Sequence, residues 1–325
     1  MSDDPPLQLK PRLAISIDQA QAIIDRVAPR RRVAGITELR GGEISTILEI
    51  VLADAPNRIL KVYPAQLHWK MAKEVYVHGL LRDADIPVPR ILLADDTRSV
   101  IDLSFVLMSK LDGVELSRRD PELSHQEQFA IFAEMGAALR RINEITLDSF
   151  GYIGPSGVWT PHPTNRAYMS AQFDRKLTEF CTRGGDRALA ERLRTGIAAR
   201  AHLLDAADRP RLCHYDLHAG NVLVTPEGKS QLCCIVDFEN ATAGDPLMDI
   251  AKALYYFTPK DAARREGLLA GYGALDRPDW KATIALYRLA SMLELWCWFA
   301  QIGKADALAG LTRELENSTS QAVAY

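Results

Sequence analysis

A polar loop between two apolar runs, in the second half of the chain, carries side chains suited to moving a phosphoryl group. His214, Asp216 and Asn221 stand in this loop, and a second apolar run at residues 232–236 ends at Asp237. Polar groups at strand ends are held rigidly by a scaffold while they face a cleft. Phosphoryl transfer asks the protein mainly to position the nucleophile and to neutralise phosphate charge with a divalent cation.

Three of these side chains are predicted to have separate roles in that reaction. Asp216 is predicted to be the catalytic residue that accepts the proton of the attacking hydroxyl group. Asn221 and Asp237 offer hard oxygen ligands, which suit Mg²⁺ because this ion binds a few protein oxygens together with phosphate oxygens and water. A turn former or helix cap is the alternative for any one of these residues. The joint pattern favours the chemical interpretation.

The same segment resembles the aminoglycoside phosphotransferases and their small-molecule kinase relatives, which share the protein-kinase fold. The protein-kinase pattern H-R-D-x-x-x-x-N followed by D-F-G appears here as His214-Tyr215-Asp216, Asn221 and Asp237-Phe238-Glu239. Tyr215 stands where regulated protein kinases carry Arg. Pro246 follows Asp237 too closely to leave room for a long phosphorylatable activation segment.

A second pattern follows directly and points to the kind of acceptor. The run Gly244-Asp245-Pro246, with Asp249, matches the G-D-P-x-x-D pattern of the antibiotic kinases. This match favours a small-molecule acceptor over a protein. By the resemblance Asp249 has a structural role at the site, and the ring of His214 is expected to orient the loop by hydrogen bonding.

The resemblance implies an α+β, bilobal protein-kinase-like fold. A small antiparallel sheet lobe would be followed by a larger, mainly helical lobe, with the active site in the cleft between them. Residues 1–110 are expected to form the N-terminal nucleotide-binding lobe with a lead-in helix. Residues 111–325 are expected to form the C-terminal helical lobe with the catalytic loop and the acceptor site.

Five β-like runs in the first third of the chain agree with a sheet lobe, because turn residues separate them. The runs occupy residues 33–39, 44–52, 58–62, 90–94 and 103–108. They follow an amphipathic helix at residues 16–27.

The turn between the first two runs contains Gly41 and Gly42. Glycines in a hairpin can lay backbone amides over phosphates, and the hydroxyl groups of Ser45 and Thr46 can add donors. A plain hairpin turn is the alternative. Because kinase-like folds place a phosphate-covering loop here, Gly42 and Ser45 are predicted to contact the nucleotide.

Lys61 lies in the third run between apolar neighbours. By the resemblance it holds the α- and β-phosphates and pairs with an acid on the next helix. Glu74 is the candidate, because it lies beside the apolar face of that helix. A surface lysine and a surface glutamate are the alternative, and Lys70 and Lys73 are predicted to face solvent.

The fifth run leads into the segment that would contact the nucleotide base. By the resemblance Met108 lies at the back of the adenine pocket, and the backbone of Ser109 to Leu111 forms the hinge that reads the base edge. A core methionine and a plain connector are the alternatives.

From residue 123 onward the pattern is helical. Ser124 and Glu127 form a capping box before an apolar stripe. Residues 150–157 are glycine-rich and are predicted to be a connecting loop, since no strand-then-helix context supports a nucleotide fingerprint. Further helices are predicted at residues 165–180, 186–204, 247–257, 262–272 and 281–299.

Composition excludes several classes of protein. The 325 residues carry a net charge of -3, which offers no polycation for nucleic acid. No signal peptide or membrane-spanning stretch is recognised, so a cytoplasmic protein with no membrane partner is expected. The five cysteines form no CxxC pair and suit a reducing compartment. A monomer or a homodimer is expected.

These observations predict an enzyme that transfers the γ-phosphate of ATP or GTP, with Mg²⁺, to a hydroxyl group of a small molecule. An aminoglycoside or a similar, cationic antibiotic is the first candidate acceptor, so the reaction would confer resistance by O-phosphorylation. Choline, homoserine or sugar kinases of the same fold are the close alternative, and an inactive nucleotide-binding module is a further one. A P-loop nucleotidase is excluded, because Leu223 stands where its first glycine is needed.

Overall fold

The computed structural model describes residues 10, 13–39, 44–258 and 260–320. These residues form a sheet lobe followed by a mainly helical lobe. The elements of the sheet lobe are α1 (Ile17–Asp25), β1 (Val33–Glu38), β2 (Thr46–Leu52), β3 (Arg58–Val62), α2 (Trp69–Asp83), β4 (Ile91–Asp95) and β5 (Phe105–Ser109). The predicted α+β fold with a small antiparallel sheet is confirmed.

The sheet of the small lobe has five strands in the order β1-β2-β3-β5-β4, and every neighbouring pair is antiparallel. One face of this sheet is covered. Along β2 the residues alternate between buried and half-buried, because successive side chains point to opposite faces of the sheet. Leu48 and Ile50 point to the buried face and pack with Ala20, Ile23 and Ile24 of α1. The predicted lead-in helix therefore closes that face.

The large lobe is built mainly from helices around one continuous core. Its elements are β6 (Val114–Glu115), α3 (Leu116–Arg119), α4 (His125–Ile142), β7 (Gly151–Gly154), β8 (Gly157–Val158), α5 (Asn165–Thr182), α6 (Arg187–Arg200), β9 (Arg211–Cys213), β10 (Val222–Val224), β11 (Leu232–Ile235), β12 (Thr242–Gly244), α7 (Leu247–Tyr255), α8 (Ala262–Tyr272), α9 (Trp280–Gln301) and α10 (Ala305–Ser320). No helix of the described residues is long and apolar enough to cross a bilayer.

Helices α4 and α8 pack unusually closely. A Cβ atom at Gly136 would collide with the backbone of Leu268, and one at Gly271 would collide with the backbone of Ala133. Glycine at these two positions lets the helix backbones touch, which fixes α8 against α4. The capping box at Ser124 that predicted the start of α4 is present.

Two small sheets in the large lobe set the position of the polar loop. Strand β9 pairs with β12, and β10 pairs with both β11 and β6. Since the loop joins β9 to β10, both of its ends are anchored in sheets. Asp237 follows β11, which is the hydrogen-bonded neighbour of β10. Asp237 therefore lies beside the same loop.

Two elements differ from the sequence-based expectations. The glycine-rich stretch at residues 150–157, expected to be a loop, contains the hairpin β7–β8, and β7 pairs with the distant β12. Helix α10 was not predicted, although Leu308, Leu311 and Leu315 recur at helical spacing and form an apolar stripe. Leu311 and Leu315 of that stripe are buried in the core of the large lobe.

Candidate active site

The backbone of the site is strained at two residues, one in the polar loop and one after β11. Tyr215 has φ 61° and Asp237 has φ 68°, both in the left-handed region that side chains other than glycine rarely adopt. Strain of this kind persists only where the surrounding structure enforces it, and it is concentrated at functional sites. Here one strained residue, Tyr215, directly precedes Asp216, and the other, Asp237, follows β11.

Both carboxylate oxygens of Asp216 accept hydrogen bonds. Tyr256 Oη donates to Oδ1 at 2.9 Å, and Asn240 Nδ2 donates to Oδ2 at 3.2 Å. Burial alone would raise the pKa of this carboxyl, but the charge of Lys252, the nearby His218 and the bond from Tyr256 outweigh burial and lower the pKa. Asp216 is therefore ionised, as a proton acceptor must be.

Asn221 and Asp237 line one cleft of about 480 Å³ between the two lobes. Asn221 Nδ2 donates to the carbonyl oxygen of Asp216 at 2.9 Å, which fixes the orientation of the amide. No cluster of three or more His, Cys, Asp and Glu side chains among the described residues is arranged to hold a metal ion. One amide and one carboxylate nevertheless fit Mg²⁺, since this ion keeps several waters and binds substrate phosphates.

Lys61 lies at the centre of a buried charge cluster in the same cleft. Its Nζ is 2.8 Å from Glu74 Oε2, 3.0 Å from Asp237 Oδ1 and 3.5 Å from Glu239 Oε2. Burial would lower the pKa of Lys61, but Asp237, Glu74, Tyr63 and Glu239 raise it well above its usual value. The pKa of Glu74 is lowered, because Lys61 outweighs its burial. Both side chains are therefore charged.

The expectation that Lys70 and Lys73 face solvent is wrong. Lys70 is 7% exposed and Lys73 is fully buried. Lys70 Nζ lies 3.0 Å from Glu239 Oε1, and Lys73 Nζ lies 3.8 Å from the centre of the Tyr152 ring. Helix α2 is covered by the sheet on one side and by the large lobe on another, so its lysines contact residues of the large lobe.

The residues predicted to contact the nucleotide are only partly brought together. Met108, Ser109 and Leu111 line the cleft with Lys61 and Glu74. The backbone N–H of Ser109 donates to the carbonyl oxygen of Arg90, so this amide is already engaged.

Two further predicted residues lie between β1 and β2 in the sequence. Gly42 lies outside the described residues. Ser45 is 3% exposed and does not line the cleft, and its Oγ has no hydrogen-bond partner among the described residues.

His214 and Asp249 fix the polar loop through buried hydrogen bonds. Asp249 is fully buried, and its carboxylate accepts from His214 N at 2.9 Å, from Tyr215 N at 2.6 Å and from Asn143 Nδ2 at 2.8 Å. The His214 ring is also buried. Its Nδ1 accepts from the backbone N–H of Asp216 at 3.2 Å, so Nε2 carries the proton and donates to Val236 O at 3.0 Å.

Comparison with known proteins places this site in a family. Residues 35–286 match the family model described as the phosphotransferase enzyme family. The chain belongs to this family. The fold is that of solved members: the aminoglycoside phosphotransferase APH(4)-Ia is 18% identical, with a TM-score of 0.73 over 95% of this chain and 100% of that chain.

Other similar proteins are more varied. A candidate fructosamine-3-kinase from Thermobifida fusca YX-ER1 is 21% identical, with a TM-score of 0.67 over 93% of this chain and all of that chain. Acyl-CoA dehydrogenase family member 10 of Mus musculus is 27% identical over 58% of this chain, and member 11 of Rattus norvegicus is 22% identical over 78%. The chain spans only 17% and 33% of those two proteins.

Several residues that contact Asp216 or Lys61 were not predicted. Asn240 and Tyr256 contact Asp216, Lys252 lowers its pKa, and Glu239 bridges Lys61 and Lys70. Glu239 and Asn240 directly follow the D-F pair, and that adjacency was an available signal. Tyr256 lies just past α7 and carries no such signal.

Replacing His214 by alanine is expected to lower the free energy of unfolding by about 2–4 kcal/mol, because it removes two buried hydrogen bonds and the packing of the ring against Phe238. Chemical denaturation measures this change. His202→Ala is the matched control, since His202 is exposed. A fully stable His214→Ala variant with only its chemistry lost would contradict the structural role.

Proposed function

We propose that this chain transfers the γ-phosphoryl group of ATP or GTP to a hydroxyl group of a small molecule. The observation that carries the proposal is the convergence of Lys61, Asn221 and Asp237 on one cleft, with Asp216 hydrogen-bonded to Asn221 at its side. A charged lysine, two oxygen ligands and an ionised carboxylate beside an open cleft are the groups that phosphoryl transfer uses.

Each residue then has a defined part in the reaction. Lys61, kept charged and fixed by Glu74, binds the α- and β-phosphates. Asn221 and Asp237 hold Mg²⁺, which when bound neutralises phosphate charge. The acceptor oxygen attacks the γ-phosphorus while Asp216 takes the hydroxyl proton. The bond from the γ-phosphorus to the bridging oxygen breaks, and the nucleoside diphosphate leaves with that electron pair.

The nucleotide is proposed to lie along the sheet lobe. Met108 would contact the base, and the backbone of Ser109 to Leu111, apart from the Ser109 N–H that bonds Arg90, would read its edge. The turn at Gly42 would cover the phosphates, and we propose the same role for Ser45. Similar proteins have been solved with AMP-PNP, with ADP and with GDP, which supports a purine nucleotide and leaves both ATP and GTP to be tested. In this proposal residues 1–110 bind the nucleotide and residues 111–325 supply the catalytic loop and the acceptor site.

An aminoglycoside is the first acceptor to test. Its support is that similar proteins have been solved with hygromycin B and with kanamycin. A polycationic acceptor requires carboxylates to pair with its ammonium groups.

A metabolite acceptor, as in choline, homoserine or sugar kinases, is the second candidate to test. Its support is that a candidate fructosamine-3-kinase is among the solved structures of the same fold.

The test is nucleotide turnover by the purified protein with Mg²⁺ and a panel of acceptors. The panel contains hygromycin B, kanamycin, amino alcohols, hydroxy amino acids and sugars, each with ATP and with GTP. We expect at least one hydroxylated compound to stimulate release of the nucleoside diphosphate and to gain a phosphate by mass spectrometry. Removal of Mg²⁺ with EDTA is expected to abolish both signals. Nucleotide binding with no transfer to any acceptor would favour the inactive binding module instead.

A further inference from the structure

The Tyr256 side chain occupies an unusual place for a partly exposed aromatic residue. It is 39% exposed, yet its hydroxyl group donates a hydrogen bond of 2.9 Å to Oδ1 of Asp216. The ring packs edge-to-face on His218, with 5.0 Å between ring centres. Tyr256 is the first residue after α7, so its side chain is attached where the helix has ended.

The hydroxyl group of Tyr256 sits where an acceptor hydroxyl group would have to sit. A base must lie about 2.6–3.2 Å from the oxygen whose proton it takes. Oδ2 of Asp216 is held by Asn240 Nδ2, an amide group that orients the carboxylate and does not react. Oδ1 is the other oxygen, and Tyr256 covers it at hydrogen-bond distance.

Tyr256 is also suited to leaving that place. Its exposure lets the ring turn toward solvent without opening a cavity in the core. Burial and the charge of Asp216 raise the pKa of Tyr256, so the phenol stays neutral and acts as a donor. A single hydrogen bond to the ionised carboxylate holds the phenol hydroxyl group in place, and an acceptor alcohol can replace it with a hydrogen bond of the same kind.

We propose that Tyr256 is a specificity-determining stopper, which covers the proton-accepting oxygen of Asp216 until an acceptor alcohol displaces it and so suppresses hydrolysis of the nucleotide by water. This inference rests on the proposed role of Asp216 as base. In the suppressed reaction, a water oxygen attacks the γ-phosphorus and one water proton passes to Asp216. The bond to the bridging oxygen breaks and the nucleoside diphosphate leaves.

The experiment measures nucleotide hydrolysis with Mg-ATP and with Mg-GTP in the absence of any acceptor. Tyr256→Phe keeps the ring and removes only the hydroxyl group. Tyr255→Phe is the matched control, because the neighbouring tyrosine hydroxyl donates to Glu314 instead of Asp216. Asp216→Asn and the double variant Tyr256→Phe/Asp216→Asn complete the set.

Tyr256→Phe is expected to raise hydrolysis about tenfold, because freeing a carboxylate from one hydrogen bond has an effect of that order. Tyr255→Phe is expected to match the wild type, and the double variant is expected to lose the increase. A productive acceptor gives a second readout that a general loosening of the fold would not change. At saturation its hydroxyl group should take the position of the Tyr256 hydroxyl group, so the extra hydrolysis of Tyr256→Phe should fall back to the wild-type level.

Several outcomes would overturn the stopper. Unchanged or reduced hydrolysis in a folded Tyr256→Phe protein would show that the hydroxyl group supports the base or does nothing. An increase that persists in the double variant would show that water is not activated through Asp216. Phosphate found on Tyr256 by mass spectrometry would make this residue an acceptor. If acceptor phosphorylation still depends on Asp216 in these cases, the proposed function stands and only the stopper is lost.

Discussion

Replacing Asp216 by asparagine is expected to lower phosphoryl transfer by about a hundredfold or more, with little change in nucleotide affinity. The amide cannot take the acceptor proton. The nucleotide contacts would survive, because Lys61, Asn221 and Asp237 reach the cleft from other positions in the chain. The fold should also survive, since the neutral amide is nearly the same size as the carboxylate it replaces.

Two measurements separate these effects. Single-turnover kinetics with a productive acceptor measures the chemical step, and calorimetry with the nucleotide measures binding. Asp148→Asn is the matched control, because Asp148 is exposed outside the cleft. Unchanged turnover in Asp216→Asn would remove the role of base from this residue, and a parallel loss of nucleotide binding would indicate a disturbed loop instead.

Replacing Lys61 by alanine is expected to raise the nucleotide KM much more than the acceptor KM. Lys61 is the cation that Glu74, Asp237 and Glu239 share, so its loss leaves three carboxylates close together in the space where phosphates are proposed to bind. Repulsion of the nucleotide then adds to the lost attraction. Leaving a buried carboxylate unpaired also lowers the free energy of unfolding by about 3–5 kcal/mol.

The matched control for this variant is Lys70→Ala. Lys70 is also buried and pairs with Glu239, but it does not line the cleft. We expect Lys70→Ala to lose stability and to keep the nucleotide KM of the wild type. If Lys61→Ala raised the acceptor KM more than the nucleotide KM, the assignment of Lys61 to the phosphates would be wrong.

The pairing of Lys61 with Glu74 also predicts that the stability of the wild type and the stability of Lys61→Ala depend on pH in opposite directions. In the wild type the pKa of Glu74 is depressed below its ordinary value of 4.5, so the stability from this pair is present above that pH and is lost as the pH falls through the depressed pKa. In Lys61→Ala burial dominates, so the pKa of Glu74 should rise above 4.5, and stability should fall as the pH rises from 4.5 through the raised pKa. Unfolding measured at several pH values shows the slope for both proteins.

Local sequence patterns were sufficient for much of this protein. The strands of the small lobe and the helix that begins after Ser124 follow from alternation, capping and turn residues, which act over a few positions. The contact between Lys61 and Glu74 was anticipated from the resemblance to small-molecule kinases, and the two charges lie 2.8 Å apart. The spacing of Asp216, Asn221 and Asp237 indicated phosphoryl transfer because that chemistry needs those groups in that order.

Tertiary packing decided the features that no local pattern contains. Lys70 and Lys73 are buried because the large lobe covers the outer side of α2, and a helical period specifies a face without specifying its neighbour. Tyr256 meets Asp216 because α7 ends beside the polar loop, and Asn240 reaches the same carboxylate from another turn. Periodicity and spacing are properties of one segment, whereas the groups that surround a catalytic carboxylate depend on how distant segments pack together.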